Sequence, residues 1–204
     1  MANSKYKLRR ILDIIRDSLS QTRRYLVIHQ YVSKKNATYP DLTAPNFFSS
    51  VSEATLREAI LGITRLMDND QESINFKLLL DMVENHPRIL HYNLVENKTL
   101  VGINRHRLAE QDVLLKALRP IRDRELAHLD RKHINDPSVV ITFQIPVKDL
   151  SRCTDVLSEI LADIWQSFHG TPFPGFETEA MISRELESLW KAINDFSSKA
   201  KKDD

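Results

Sequence analysis

A dense group of ionisable side chains occupies residues 119–133, RPIRDRELAHLDRKH. Two of them, Arg122 and His128, suit cleavage of an RNA strand, which needs a proton taken from the ribose 2′-OH, the charge on phosphorus stabilised and the leaving 5′ oxygen protonated. An imidazole, with an ordinary pKa of about 6.5, exchanges protons near neutral pH. A guanidinium keeps its charge and offers forked donors to phosphate oxygens. This pair of residue types needs no metal for that chemistry.

The same residues also allow a purely structural interpretation. Helices rich in Arg, Asp and Glu are usually solvated faces held by pairs spaced three or four residues apart. A helical protein-interaction domain without catalysis therefore stays open. Local spacing alone does not decide between these two roles.

A longer pattern around the pair resembles a known family. Arg122, the polar Asp123, four further residues and then His128 match the signature of the HEPN superfamily of helical nucleotide- and RNA-binding domains. Residues 127–130, AHLD, resemble its AbiU-type abortive-infection branch in particular. Residues 61–68, LGITRLMD, on an earlier predicted helix are also similar to that branch.

The resemblance implies a metal-independent endoribonuclease that acts as an antiphage (abortive infection) or toxin effector, without a cofactor. Arg122, His128 and Asp123 would be the catalytic residues, with the Asp123 carboxylate orienting either of the other two. Arg124 and Asp130 would contact RNA or support the site. An antitoxin or nucleotidyltransferase partner is a further expectation, and a non-catalytic module that binds nucleotide or RNA is the alternative within the family.

Helix geometry adds a prediction about assembly. At about 100° and 1.5 Å per residue, Arg122 and His128 lie roughly 120° apart around the axis and about 9 Å apart along it. At this separation, a single helix would struggle to place both side chains on one phosphate. Two copies related by a twofold axis could instead bring two arginines and two histidines into one cleft. Composite dimer sites of this kind are what the HEPN resemblance implies, so we expect a homodimer with facing motif helices.

The composition is that of a globular protein. Of 204 residues, 42% are apolar and 28% charged, and 29 basic residues nearly cancel 28 acidic ones, so RNA binding requires a local basic patch. Cys153 is the single cysteine of the sequence. This count excludes an internal disulfide and a zinc site made of cysteines, and it agrees with a reducing cytosol. Because no apolar run approaches the roughly 20 residues of a membrane span, we expect a cytoplasmic protein with no membrane association.

Apolar residues recurring every three or four positions predict helices. The first half is expected to begin with a helix over 5–33 and a loop over 34–46. A second helix starts at a capping box at 50–53 and ends near 67, and a third spans 73–85. A short kinked helix over 88–94, a turn over 97–102 and a helix from about 104 to 119 follow. At Pro120 that helix either kinks or gives way to the motif helix, which Pro120 can begin. Residues 68–72 read as a solvated turn and His29 as a hydrogen-bonded boundary residue. The other histidines are too scattered for a metal site.

The last third predicts two more helices, over 147–168 and 182–196, with heptad-like stripes joined by the TPFPG loop. They most simply form an antiparallel hairpin, and a dimer seam is the alternative. Residues 139–145, VVITFQI, read as one extended segment near the bundle. The prediction is an all-α, HEPN-like up-and-down bundle of about six helices in a single domain over 1–200, with 171–200 packed on it and 201–204 as a disordered tail.

Overall fold

The structure, a computed structural model, describes residues 2–38, 45–70, 72–91, 94–123, 145–177 and 179–200. These residues form seven α-helices and one 3-10 turn: α1 (Ala2–Thr38), α2 (Pro45–Met67), α3 (Phe76–Asn85), the turn (Pro87–Ile89), α4 (Leu94–Ala109), α5 (Asp112–Ile121), α6 (Val147–His169) and α7 (Glu179–Ala200). No strand occurs among them, so the predicted all-α class is confirmed. Residues 139–144 of the predicted extended segment and the tail at 201–204 lie outside the described residues.

The long helix α1 is the centre of the bundle. Its predicted apolar stripe is buried, with Leu8, Leu12, Ile15 and Leu19 fully inaccessible to water. Both α2 and α6 pack against it and run antiparallel to it. For α6, the antiparallel direction follows from two contacts. Gln30 donates to Ser151 near the start of α6, whereas Arg16, earlier in α1, lies over the ring of Trp165 near the end of α6.

The crossing of α1 and α2 depends on Gly62. A Cβ built at that position would collide with the Oγ1 atom of Thr22, whose hydroxyl already donates to the Ser18 carbonyl. The glycine therefore lets the two helix backbones approach closely. The same glycine belongs to the LGITRLMD segment.

We expect Gly62→Ala to lower the free energy of unfolding by about 1–3 kcal/mol, because an added methyl group in a packed contact forces the backbones apart. Gly102 supplies the matched control, since a Cβ at this helical position meets no atom within 4 Å. Gly102→Ala should instead stabilise the protein by roughly 0.5–1 kcal/mol through helix propensity. Urea denaturation of both variants measures the difference. Equal shifts would contradict the close contact.

The only cysteine lies in the core between α2 and α6. Cys153 is fully buried and its Sγ lies 3.5 Å from the Sδ of Met67. Burial raises the pKa of the Cys153 thiol from 9.0 to about 12. Because the folded value is the higher one, thiol burial favours the fold below about pH 9, and this contribution is lost as the pH rises towards 12.

We expect the native protein to react with a thiol reagent such as DTNB at pH 8 at least about 100-fold more slowly than the protein unfolded in guanidinium. The reason is that a thiol reacts as its exposed thiolate, and Cys153 is neither exposed nor ionised. The absorbance time course measures both rates. Rapid labelling of the native chain would show that α2 and α6 separate readily.

Several predicted boundaries in the first half are wrong. Helix α1 continues to Thr38 and α2 already begins at Pro45, so the predicted loop over 34–46 is shorter and the capping box does not start the helix. Instead, Ser50 lies inside α2 and its hydroxyl donates to the Asn46 carbonyl one turn earlier. The predicted turn over 97–102 lies within α4, where the buried Asn97 donates to the Pro87 carbonyl at 2.7 Å. Of the predicted kinked helix over 88–94, the described residues 88–91 contain only the end of the short 3-10 turn, Leu94 already belongs to α4, and residues 92–93 lie outside the described residues.

The two predictions for Pro120 are a kink within one helix and the start of a new motif helix, and the second is wrong. Helix α4 ends at Ala109, and Pro120 occupies the last turn of α5 rather than the first turn of a new helix. A proline lacks the N–H that would bond one turn back. The chain recovers directly afterwards, because the Arg122 N–H reaches the carbonyls of Leu118 and Arg119.

The C-terminal helix packs on α1 rather than in the predicted hairpin with α6. Trp190 of α7 stacks against Phe48 of α2 with ring centroids 4.8 Å apart, in a second, small apolar cluster. Glu187 accepts hydrogen bonds from Tyr31 and Lys35 of α1. Heptad spacing specifies a stripe but not the helix that covers it, which explains the error. Between the helices, Gly170 ends α6 in the left-handed conformation with φ of 70°.

In the ranges that the structure describes, no helix combines the length and apolar character needed to cross a membrane.

Candidate functional site

The candidate site lies where α5 ends beside the end of α2. Leu115 and Leu118 of α5 are buried in the main core, at 4% and 0% exposure, and hold this helix on the bundle. Met67, the last residue of α2, is also buried and holds the end of that helix on the bundle. Each helix is therefore anchored directly before a charged residue, Arg122 after α5 and Asp68 after α2.

Arg122 is held by two carboxylates. Its Nη1 donates to Asp68 Oδ2 at 2.6 Å and its Nε donates to Asp123 Oδ1 at 2.7 Å. The side chains of Arg122 and Asp68 are 25% and 26% exposed, whereas Asp123 is 57% exposed. The hydrogen bond to Asp123, together with that to Asp68, raises the pKa of Arg122 against the opposing effect of burial. The guanidinium is therefore charged at every pH at which the protein is folded.

The turn after α2 fixes Asp68. Its Oδ1 accepts the Asn69 N–H at 2.8 Å, so both carboxylate oxygens have partners. A few residues later, Asn75 caps α3 by accepting the Leu78 N–H and donates its amide to the Asp70 carbonyl. These bonds hold the turn in place, and Arg122 binds to a carboxylate whose position is already set.

The local charge balance limits what the site can bind. In the described part of this site, one guanidinium faces two carboxylates, so these three groups together carry a formal charge of −1. Its Nη2 makes no hydrogen bond to any residue in the described part of the chain. A phosphate oxygen can use that donor, but it must compete with Asp68 and Asp123 for the positive charge.

The LGITRLMD segment now has a physical explanation. Gly62 permits the close crossing with α1, Thr64 is fully buried with its hydroxyl donating to the Ile60 carbonyl, and Met67 anchors the helix end. Asp68 then pairs with Arg122. The end of this segment thus contacts Arg122, the first residue of the second segment on which the family resemblance rests. The sequence pattern predicts only a solvated turn at Asp68, and the available signal for its pairing is its place as the last residue of the LGITRLMD segment.

The remaining predicted site residues are not placed by the structure. His128, Arg124 and Asp130 lie outside the described residues, so only Arg122 and Asp123 are brought together with a known geometry. Elsewhere, His29 is confirmed as a hydrogen-bonded boundary residue, with its Nδ1 at 2.8 Å from the Ser52 carbonyl. Within the described ranges, no group of three or more His, Cys, Asp or Glu side chains could hold a metal ion.

Comparison with known proteins gives one match. A family model described as AbiU2, of the HEPN type, matches residues 5–186. The matched range contains both the 61–68 segment and the Arg122–Asp123 pair. No curated protein and no solved structure matches the chain.

Proposed function

This chain belongs to the AbiU2 family of HEPN domains, and we propose that it is a metal-independent RNA endoribonuclease acting in abortive infection or as a toxin. The observation that carries the proposal is the setting of Arg122. Its guanidinium is anchored at the end of a core helix, is permanently charged, is partly exposed and retains an Nη2 donor without a partner among the described residues. These are the properties required of a group that binds a scissile phosphate.

In the proposed reaction, His128 accepts the proton of the ribose 2′-OH, and an imidazolium protonates the leaving 5′ oxygen. The attack forms a bond from the 2′ oxygen to phosphorus and breaks the bond to the 5′ oxygen, which leaves a 2′,3′-cyclic phosphate. Arg122 stabilises the charge that develops on the phosphate oxygens. Arg124 and Asp130 contact RNA or support the site.

Asp123 and Asp68 have distinct proposed tasks at Arg122. Asp123 follows Arg122 directly and binds Nε, so it sets the rotation of the guanidinium plane. Asp68 comes from another helix end and binds Nη1, so it sets the distance of the guanidinium from the bundle. Both are positioning residues, and both lower the attraction of the site for phosphate.

The helical separation of Arg122 and His128 supports a composite site in a homodimer. In a twofold arrangement, the imidazole of one copy and the guanidinium of the other reach the same phosphate. An antitoxin or nucleotidyltransferase partner would then act by covering or separating this cleft. A cytoplasmic location agrees with an RNA substrate.

The test is RNA cleavage by the purified full-length chain in the presence of EDTA. We expect cleavage to persist and the products to end in 2′,3′-cyclic phosphate, because the proposed chemistry uses only side chains. Mass spectrometry of the fragments measures the ends. Loss of cleavage in EDTA, or products with a 3′-hydroxyl, would overturn the proposal.

The surplus negative charge around Arg122 favours a second candidate, a non-catalytic HEPN module that binds nucleotide or RNA. Such a module would retain RNA in a binding assay without producing fragments over long incubation. A helical protein-interaction domain would show neither binding nor cleavage. The same purified chain therefore distinguishes the three functions.

A further inference from the structure

The first turns of α1 carry a concentrated positive charge. Residues 5–10, KYKLRR, contain four basic side chains, and no Asp or Glu occurs before Asp13. Over the whole sequence, by contrast, the charges of the basic and acidic residues nearly cancel. The requirement for a local basic patch, which follows from that balance, is met at this end of the bundle.

These basic residues surround an exposed aromatic ring. Tyr6 is 67% exposed, and Lys5, Lys7, Arg9 and Arg10 are all exposed as well. Arg9 and Arg10 follow Tyr6 by three and four residues, so both lie beside it one turn along the helix. The two lysines lie about 100° to either side of Tyr6 around the helix axis, so they border the surface formed by Tyr6, Arg9 and Arg10. We call these five residues the N-terminal face of α1.

The charges of this face are available to a partner. None of its four cations forms an ion pair with a residue in the described ranges. By contrast, the other arginines along α1 are neutralised: Arg16 by Asp13 and Asp17, Arg23 by Asp155, and Arg24 by Glu177 and Glu185. The N-terminal face therefore differs from the rest of the helix in accessible charge, not only in composition.

The neighbouring groups are largely compatible with an anionic ligand. A cleft of about 370 Å³ lies between Lys7 and α3, and it is lined by the polar residues Asn85 and His86. Asp81 also lines this cleft, but its carboxylate is bound by Arg105 at 2.6 Å. The nearest acidic residue on α1 itself, Asp13, faces Arg16 at 3.4 Å.

Resting on the proposed function, we propose that the N-terminal face of α1 binds the backbone of single-stranded RNA, with a base stacked on Tyr6. Basic side chains that track phosphates, together with an aromatic ring that stacks on a base, are the usual elements of single-strand recognition. A duplex keeps its bases stacked on one another and cannot offer one to Tyr6.

The position of the face agrees with one RNA strand that reaches both this surface and Arg122. The contacts of His29 with Ser52 and of Thr22 with Gly62 set the antiparallel register of α1 and α2. Continued to the end of α2, this register places Asp68 roughly 14 Å along the α1 axis from Lys7. That span corresponds to a few nucleotides of an extended strand.

The experiment measures binding of a fluorescent single-stranded RNA of about 20 nucleotides by the full-length His128→Ala chain at several salt concentrations. In that background, K5Q, R9Q and R10Q are combined. We expect affinity to fall at least tenfold and the slope of log affinity against log salt to decrease by about 2, since each lost phosphate contact contributes roughly 0.7. Unchanged affinity and slope would overturn the proposal.

A matched control removes the same number of charges elsewhere. Lys98, Arg184 and Lys191 are exposed on α4 and α7, and their combined replacement by glutamine should leave affinity within about twofold. An equal loss in both triple variants would mean that only total charge matters, which contradicts a defined surface. Thermal melting shows whether either triple variant is still folded. If the K5Q, R9Q, R10Q triple variant unfolds, the single variants R9Q and R10Q are measured in its place. Unchanged affinity in both single variants contradicts the proposal.

Tyr6 distinguishes recognition of a single strand from simple charge attraction. We expect Tyr6→Ala to weaken binding about tenfold and Tyr6→Phe to retain it, because stacking needs the ring and not the hydroxyl. Equal binding of a duplex, or no effect of Tyr6→Ala, would overturn the single-strand assignment. RNA bound through this face but never cut would refute the nuclease and leave the inference intact. RNA cut at the wild-type rate by a K5Q, R9Q, R10Q triple variant that retains His128 would refute the inference alone.

Discussion

The His128→Ala chain is expected to cleave RNA at least about 100-fold more slowly than the wild-type chain while remaining folded. The magnitude follows because general acid and base catalysis by a positioned side chain contributes factors of about 10² to 10⁴. Initial rates of fragment formation in EDTA give the measurement. The control is His106→Ala, which removes an exposed histidine of α4 that makes only a 3.6 Å contact with Glu110.

Expression in growing cells extends the same comparison. We expect the wild-type chain to slow growth and His128→Ala to relieve that effect at equal amounts of soluble protein. Equal growth of both strains would count heavily against a toxic nuclease. Cleavage by His128→Ala at the wild-type rate in vitro would remove His128 from the mechanism.

Arg122→Ala is expected to lower RNA cleavage by about 100- to 1,000-fold, because the charge that stabilises the transition state is lost. Arg122→Lys should recover little of this rate, since an ammonium cannot hold Asp68 and a phosphate oxygen with separate arms of a planar fork. Single-turnover rates of both variants give the comparison. Arg65→Ala, on the exposed surface of α2, is the control and should cleave normally. Full activity of Arg122→Lys would mean that only a point charge is needed.

Asp68 provides a graded version of this prediction. We expect Asp68→Ala to lower the single-turnover rate about tenfold. Asp68→Asn should retain part of that rate, because its amide oxygen still accepts the Nη1 hydrogen bond although its NH2 group cannot replace the oxygen that accepts the Asn69 N–H. The conservative variant also removes one of the two competing negative charges, so RNA affinity should rise in Asp68→Asn. If both variants bind and cleave RNA as the wild-type chain does, Asp68 has no positioning role.

The sequence predicted the elements better than their partners. The stripe from Leu8 to Leu26 and the stripe of α6 are buried as expected, because apolar periodicity reports directly which face avoids water. The end of α2 near Met67 was also predicted correctly. The partner of α7 was not, since the same stripe can cover α6, α1 or a second chain, and local spacing contains no information on which it selects.

The errors at helix ends have a common physical origin. Ser50, Asn97 and Pro120 favour helix ends in isolation, yet all three lie inside helices. Other bonds satisfy these polar groups inside the helices: Ser50 donates to a carbonyl of its own helix, and Asn97 reaches the Pro87 carbonyl outside α4. In the site, the importance of Arg122 and Asp123 was predictable from a motif. The pairing with Asp68 was not, because it joins residues 54 positions apart.

The antiparallel packing of α1 on α6 has a consequence for synthesis of the protein. Gln30 and Ser151 are 121 positions apart, and Arg23 and Asp155 are 132 positions apart. During synthesis, the apolar stripe of α1 therefore stays partly uncovered until α6 has been made. A nascent chain that stops before α6 cannot complete this core, so it would expose that stripe to water and to other chains.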